Sequence, residues 1–133
     1  MTGARATGSR RRTGLVVVLL TVTGCGAQSL SPEERTARCG DFAAAVARAD
    51  LRGTPTEAVA REVADSLDNR LSRLGAPALH TPAVEIHRDL HAVEVAQRAG
   101  DSEKADEAAA RAREAVSELA AACGLPESAF LGG

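Results

Sequence analysis

Downstream of residue 31, apolar residues recur every three or four positions, the spacing of a helix that buries one face. Over residues 32–50 the stripe is Cys39, Phe42, Ala43 and Val46. Over 55–73 it is Val59, Val63, Leu67 and Leu71, continued by Leu74; over 82–99 it is Ala83, Ile86, Leu90 and Val93. Over 102–123 it is Ala105, Ala109, Ala112, Val116, Leu119 and Cys123. No stretch alternates apolar and polar residues at strand spacing. The four predicted helices are punctuated. Ser31-Pro32-Glu33-Glu34 reads as a capping box with proline at the first helical position, and Thr54-Pro55-Thr56-Glu57 repeats it. Thr81-Pro82 opens the third helix, and Asp101 or Ser102 opens the fourth. Gly53, Gly75, Gly100 and Gly124 mark the ends. Short connections make successive helices antiparallel, so the expected fold is all-α, a four-helix up-down-up-down bundle over residues 31–126. Residues 127–133 read as a C-terminal tail.

One apolar run falls outside this pattern. Arg10-Arg11-Arg12 precedes Leu15–Val22, and no acidic residue occurs before Glu33. A basic segment, a short apolar run and small residues are the layout of an export signal. A run of eight residues is too short for a membrane-spanning helix, which needs roughly 20. Val22-Thr23-Gly24-Cys25 resembles the lipobox of bacterial lipoproteins: an aliphatic residue, a small residue, Gly or Ala, then Cys. The resemblance covers the first 25 residues and departs from the family at Val22, where Leu is commoner. It implies a signal peptide over 1–24, lipidation of Cys25, and a tether over 25–30. It places the protein on the outer face of the cell membrane, held by acyl chains, since two or more chains hold stably where one does not. The Arg pair after Ser9 is similar to a twin-arginine signal. The aromatic residue and Leu expected behind the pair are replaced by Arg12, Thr13 and Gly14, which favours Sec export.

Removal of residues 1–24 leaves 109 residues, enough for one domain. It also leaves 12 basic residues against 18 acidic ones, a net charge of −6. With no Lys/Arg block, nucleic-acid binding is not expected. The chain has no Trp, no Tyr and two Phe, so stacking on sugars or bases has almost nothing to work with. The core must be built from Val, Leu, Ile and much Ala.

Cys39 and Cys123 remain once Cys25 is lipidated, an even pair in an oxidising compartment. Both lie on core stripes, one near the start of the first helix and one at the end of the fourth. In an up-down-up-down bundle those ends share a pole, so a disulfide joining first and last helices is expected. It would close a loop of 84 residues, worth roughly 4–5 kcal/mol in the chain-entropy account. The rival, a redox or metal pair, lacks a Cys-x-x-Cys spacing and a nearby His. The mature body thus resembles small lipoproteins of high-GC Gram-positive bacteria whose helical domain is clasped by two Cys. The ratio of fifteen Arg to one Lys fits such a genome.

The histidines are the one cluster where chemistry could reside. His80, His87 and His91 fall within twelve residues, and His87 and His91 are four apart, on one helix face. That pair could hold a divalent metal with Glu94 or His80 as third ligand. The metalloprotease pattern requires Glu directly after the first His, and Arg88 stands there. Solvated or hydrogen-bonded imidazoles, or a pH-responsive contact, are the other readings. Val84, His87, His91 and Val95 form a second stripe, centred roughly 140° from the core stripe at 3.6 residues per turn. This is a candidate docking face for a protein partner. On the fourth helix, Glu107–Arg111 is a favourable i,i+4 pair and Glu114–Glu118 an unfavourable one. Gly100 to Ala105 is similar to the turn of tetratricopeptide-type pairs, a turn common to helical hairpins, and no strict repeat accompanies it. No Gly-rich phosphate loop, Gly-x-Ser-x-Gly elbow or paired carboxylates are identifiable, so no enzyme activity and no cofactor is expected. The expected function is a membrane-anchored helical interaction or accessory module. The alternative is a small-ligand or metal carrier using His80, His87 and His91.

Overall fold

The computed structural model describes residues 30–132. The basic segment, the apolar run, the Val22–Cys25 motif and most of the tether lie outside the described residues. The first helix, α1, spans Pro32–Ala47 and starts as the sequence dictates. Ser31 Oγ accepts from the Glu34 amide at 3.1 Å, and the Ser31 amide donates back to Glu34 Oε1 at 3.2 Å. Both halves of the capping box are therefore present. Cys39, Phe42, Ala43 and Val46 all face inward and are buried.

The second helix, α2, spans Glu57–Leu71, and its cap is Thr56 rather than Thr54. Thr56 Oγ1 accepts from the Val59 amide at 3.3 Å. Thr54 is instead spent across the bundle, donating to Asp106 Oδ1 at 2.6 Å. Pro55 is buried, and its carbonyl accepts from Gln97 Nε2 at 2.7 Å. These tertiary bonds fix Thr54 and Pro55 as a loop. Val63, Leu67 and Leu74 are buried as expected, while Val59 and Leu71 sit half-exposed and Ala60 and Ala64 take the inner positions.

The third helix, α3, begins five residues earlier than Pro82 suggests, spanning Pro77–Arg98. Pro77 takes the first helical position, and the Leu79 and His80 amides close the turn on the Ala76 carbonyl. Pro82 lies inside the helix, where it has no amide to donate. Burial of Leu79, Pro82 and Ala83 on the inner side of α3 offsets that lost bond. The fourth helix, α4, spans Ser102–Cys123 with Asp101 as its cap; Asp101 Oδ1 accepts from the Lys104 amide at 3.0 Å.

Of the four glycines read as helix ends, Gly100 and Gly124 are left-handed, with φ of 72° and 71°. Each closes its helix with a pair of back-bonds, Asp101 to the Ala96 carbonyl and Leu125 to the Ala120 carbonyl among them. Gly53 and Gly75 do not take positive φ. After α1 that role falls to Asp50, with φ of 50°.

The helices form the up-down-up-down bundle, with α3 packed extensively against α4 and α2. Cys39 and Cys123 form the disulfide, their Cα atoms 6.0 Å apart. The segment after Pro126 is more than a tail. A fifth helix, α5, covers Ser128–Leu131 and packs on α1 with Phe130 fully buried. Arginines stitch the loops to the helices: Arg38 donates to the Arg73 carbonyl at 2.7 Å, and Arg113 to the Leu51 carbonyl at 2.9 Å. No described helix is long and apolar enough to cross a membrane.

Candidate functional site

The third helix carries most of the candidate residues, and its neighbours divide them. Ile86, Leu90 and Val93 are fully buried in the bundle centre. The second stripe, Val84, His87, His91 and Val95, does not stay together as one face. Val84 and His87 are half-buried, whereas His91 and Val95 are exposed. At 48% exposure, Val95 is the one exposed large apolar side chain among the described residues.

Each histidine has a different acceptor. His80 Nδ1 lies 3.2 Å from the Leu71 carbonyl, at the end of α2. His87 Nε2 lies 2.9 Å from Asp68 Oδ1, also on α2. His91 Nδ1 lies 3.3 Å from Glu94 Oε1 on its own helix. His91 thus meets Glu94, one of the two residues considered as a third metal ligand, while His80 and His87 are directed elsewhere. No three His, Cys, Asp or Glu side chains among the described residues converge on a point that could hold a metal ion.

Glu94 is nearly buried, and its environment is cationic. Oε2 accepts from Arg98 one turn on and lies 3.7 Å from Arg61 of α2. Glu57 joins from the start of α2, 3.1 Å from Arg98 Nε and 3.4 Å from Arg61. Two carboxylates and two guanidiniums therefore zip α2 to α3, with His91 at the rim. Burial of a lone carboxylate would be costly, and these partners neutralise it. The second buried acid, Asp89, faces α4, where Arg111 Nε approaches its Oδ1 at 3.4 Å. Asp89 and Glu94 both sit at core spacing from Ile86, Leu90 and Val93. That placement is the sequence signal for buried, paired acids.

The other flank of α3 opens into a groove against α4, of about 470 Å³. Ala92, Val95, Ala96 and Ala99 form one wall and Ala108 the other. Asp101, Lys104, Glu107 and Arg111 edge it along α4. The groove arises because alanine fills the α3–α4 contact at this end, where larger side chains would close it. It lies at the pole opposite the disulfide: Lys104 and Cys123 are 19 residues apart on α4, about 28 Å at 1.5 Å per residue. The expected Glu107–Arg111 pair is not formed, because Arg111 turns to Asp89 instead.

No protein-family model, no curated protein and no solved structure matches this chain.

Proposed function

We propose that this protein is a lipid-anchored, extracytoplasmic interaction module without catalytic activity of its own, tethered to the cell membrane through Cys25. The observation that carries this reading is Val22-Thr23-Gly24-Cys25, placed directly after a basic segment and an eight-residue apolar run. The helical unit starts at Ser31, six residues after Cys25 in the sequence. The Cys39–Cys123 disulfide supports an oxidising location. The Val95 groove supports docking, since it is an open concavity of about 470 Å³ walled by alanines of two helices with Val95 exposed in it. The docking face is therefore narrower than the stripe of Val84, His87, His91 and Val95: it is centred on Val95 and shared with α4.

The test is acylation. The full chain expressed in a high-GC Gram-positive host should incorporate labelled palmitate, and globomycin should block its processing. Cys25→Ala should abolish the label and release the chain from the membrane fraction. A chain that keeps residues 1–24 and stays in the cytosol would end the proposal.

A further inference from the structure

We infer that the α3/α4 groove takes a second copy of this chain, related by a two-fold axis that sets the two α4 helices antiparallel. The inference rests on reading the groove as the docking surface and adds the identity of its occupant. Along the groove edge the charges alternate: Asp101, Lys104, Glu107 and Arg111 are negative, positive, negative and positive, at spacings of three, three and four residues. Read in reverse, that order becomes positive, negative, positive, negative. An antiparallel copy therefore sets Asp101 against the other copy's Arg111 and Lys104 against its Glu107, at every position and twice over. A parallel copy would set like charge against like. Self-complementarity of this kind is what a two-fold interface requires.

The inner pair is available; Arg111 already approaches Asp89 and Asp101 caps α4 through the Lys104 amide, so the two Lys104–Glu107 pairs carry the complementarity. Lys104 and Glu107 make no ion pair among the described residues, although they stand one helical turn apart. Both side chains are exposed. Beside them, Ala92, Val95, Ala96 and Ala99 of the α3 wall and Ala108 of α4 line the groove with small side chains that let a second helix approach closely. A face two helices wide falls at the low end of specific interfaces, about 1,200 Å² in total, and a micromolar dimer is expected.

The experiment is sedimentation equilibrium of the full chain in density-matched detergent, from about 1 to about 100 µM. Circular dichroism on each variant confirms an intact helical fold. The wild type should pass from monomer to dimer across that range. Lys104→Glu and Glu107→Lys should each weaken the dimer roughly tenfold, because each turns two attractive pairs into two repulsive ones. The double variant, with the two charges exchanged, should regain wild-type association. Dimers indifferent to the single reversals, or a double variant weaker than either single, would overturn the inference. A wild type monomeric throughout would also overturn it. In that case, loss of an in-cell cross-link to a different protein on Val95→Asp would keep the docking surface and reassign its occupant. No effect of Val95→Asp on any cross-link would remove the docking surface as well.

Discussion

Cys39 on α1 and Cys123 at the end of α4 are bonded with their Cα atoms 6.0 Å apart, although the two helices share little other surface. The first helix is held mainly by α2, by α5 and by this one covalent link. Replacing both cysteines by serine should lower stability by roughly 4 kcal/mol, the loop-closure effect for a ring of 84 residues. Urea titration of oxidised and reduced protein should show the same difference for the wild type and none for the variant. Amide exchange should locate the loss, with protection falling more in α1 than in α3 and α4.

Phe130 should matter more than its place near the chain end suggests. It is fully buried on a four-residue helix that covers α1. Phe130→Ala should cost about 3 kcal/mol, within the range for a large aromatic side chain removed from a core. Gly132 enforces the approach: a Cβ there would meet the Ala47 carbonyl oxygen at 2.9 Å, and its φ is 76°. Gly132→Ala should therefore destabilise by roughly 1–2 kcal/mol, read from the shift in thermal midpoint.

The features legible in sequence are those set by local spacing. The four core stripes, the Ser31 box and the disulfide between first and last helices follow from 3.6-residue periodicity and antiparallel succession, although Cys39 bonds from the middle of α1 rather than from its start. What escaped depends on partners distant in sequence. Thr54 looks like a cap as good as Thr56 until Asp106 claims it. Pro82 looks like a start until Leu79 is seen to be buried ahead of it. Phe130 lies in a segment too short to show any period. At the candidate site, Val95 stands out on the helical wheel, but the groove does not, because it is made by alanines of two helices meeting. His87 finds Asp68 and Arg111 finds Asp89 across helices, pairings that no single-helix reading contains.

The Glu94 network should be stabilising only as a whole. Glu94→Ala removes the acceptor shared by Arg98, Arg61 and His91 and should cost roughly 1–2 kcal/mol. The loss stays below that of a fully buried pair because both guanidiniums are about half exposed and can turn to water. His91→Ala should change stability by less than about 0.5 kcal/mol, since the ring is exposed at the rim. A chemical-denaturation series of the three proteins checks the order.

Asp50 combines a left-handed backbone with an ion pair. Its carboxylate accepts from Arg52 Nε at 2.8 Å, and this hydrogen bond holds its pKa below the ordinary 3.8. A lowered folded-state pKa favours folding above that value, and the contribution fades as pH falls through the folded value. Asp50→Asn should therefore be slightly less stable than the wild type at pH 7, and the difference should vanish as pH falls below about 4. The side chain is fully exposed, so the pH effect is small. The backbone effect is larger: at φ of 50° asparagine and glycine are tolerated, whereas Asp50→Val should cost roughly 1–2 kcal/mol. Parallel melts of the three variants separate charge from conformation.

Val95 and Leu90 lie on the same helix and should answer an introduced charge in opposite ways. Leu90 is fully buried, and Leu90→Asp should abolish the cooperative melt, because an unpaired carboxylate would be forced into the core. Val95 is 48% exposed at the groove, and Val95→Asp should leave helix content unchanged and stability within about 0.5 kcal/mol. What it should change is association, since a desolvated carboxylate in the groove would have no partner opposite it. Thermal melts followed by circular dichroism, beside cross-linking at the cell surface, distinguish the two. A Val95→Asp chain that melts like Leu90→Asp would show that its side chain is part of the core and that the groove is closed in solution.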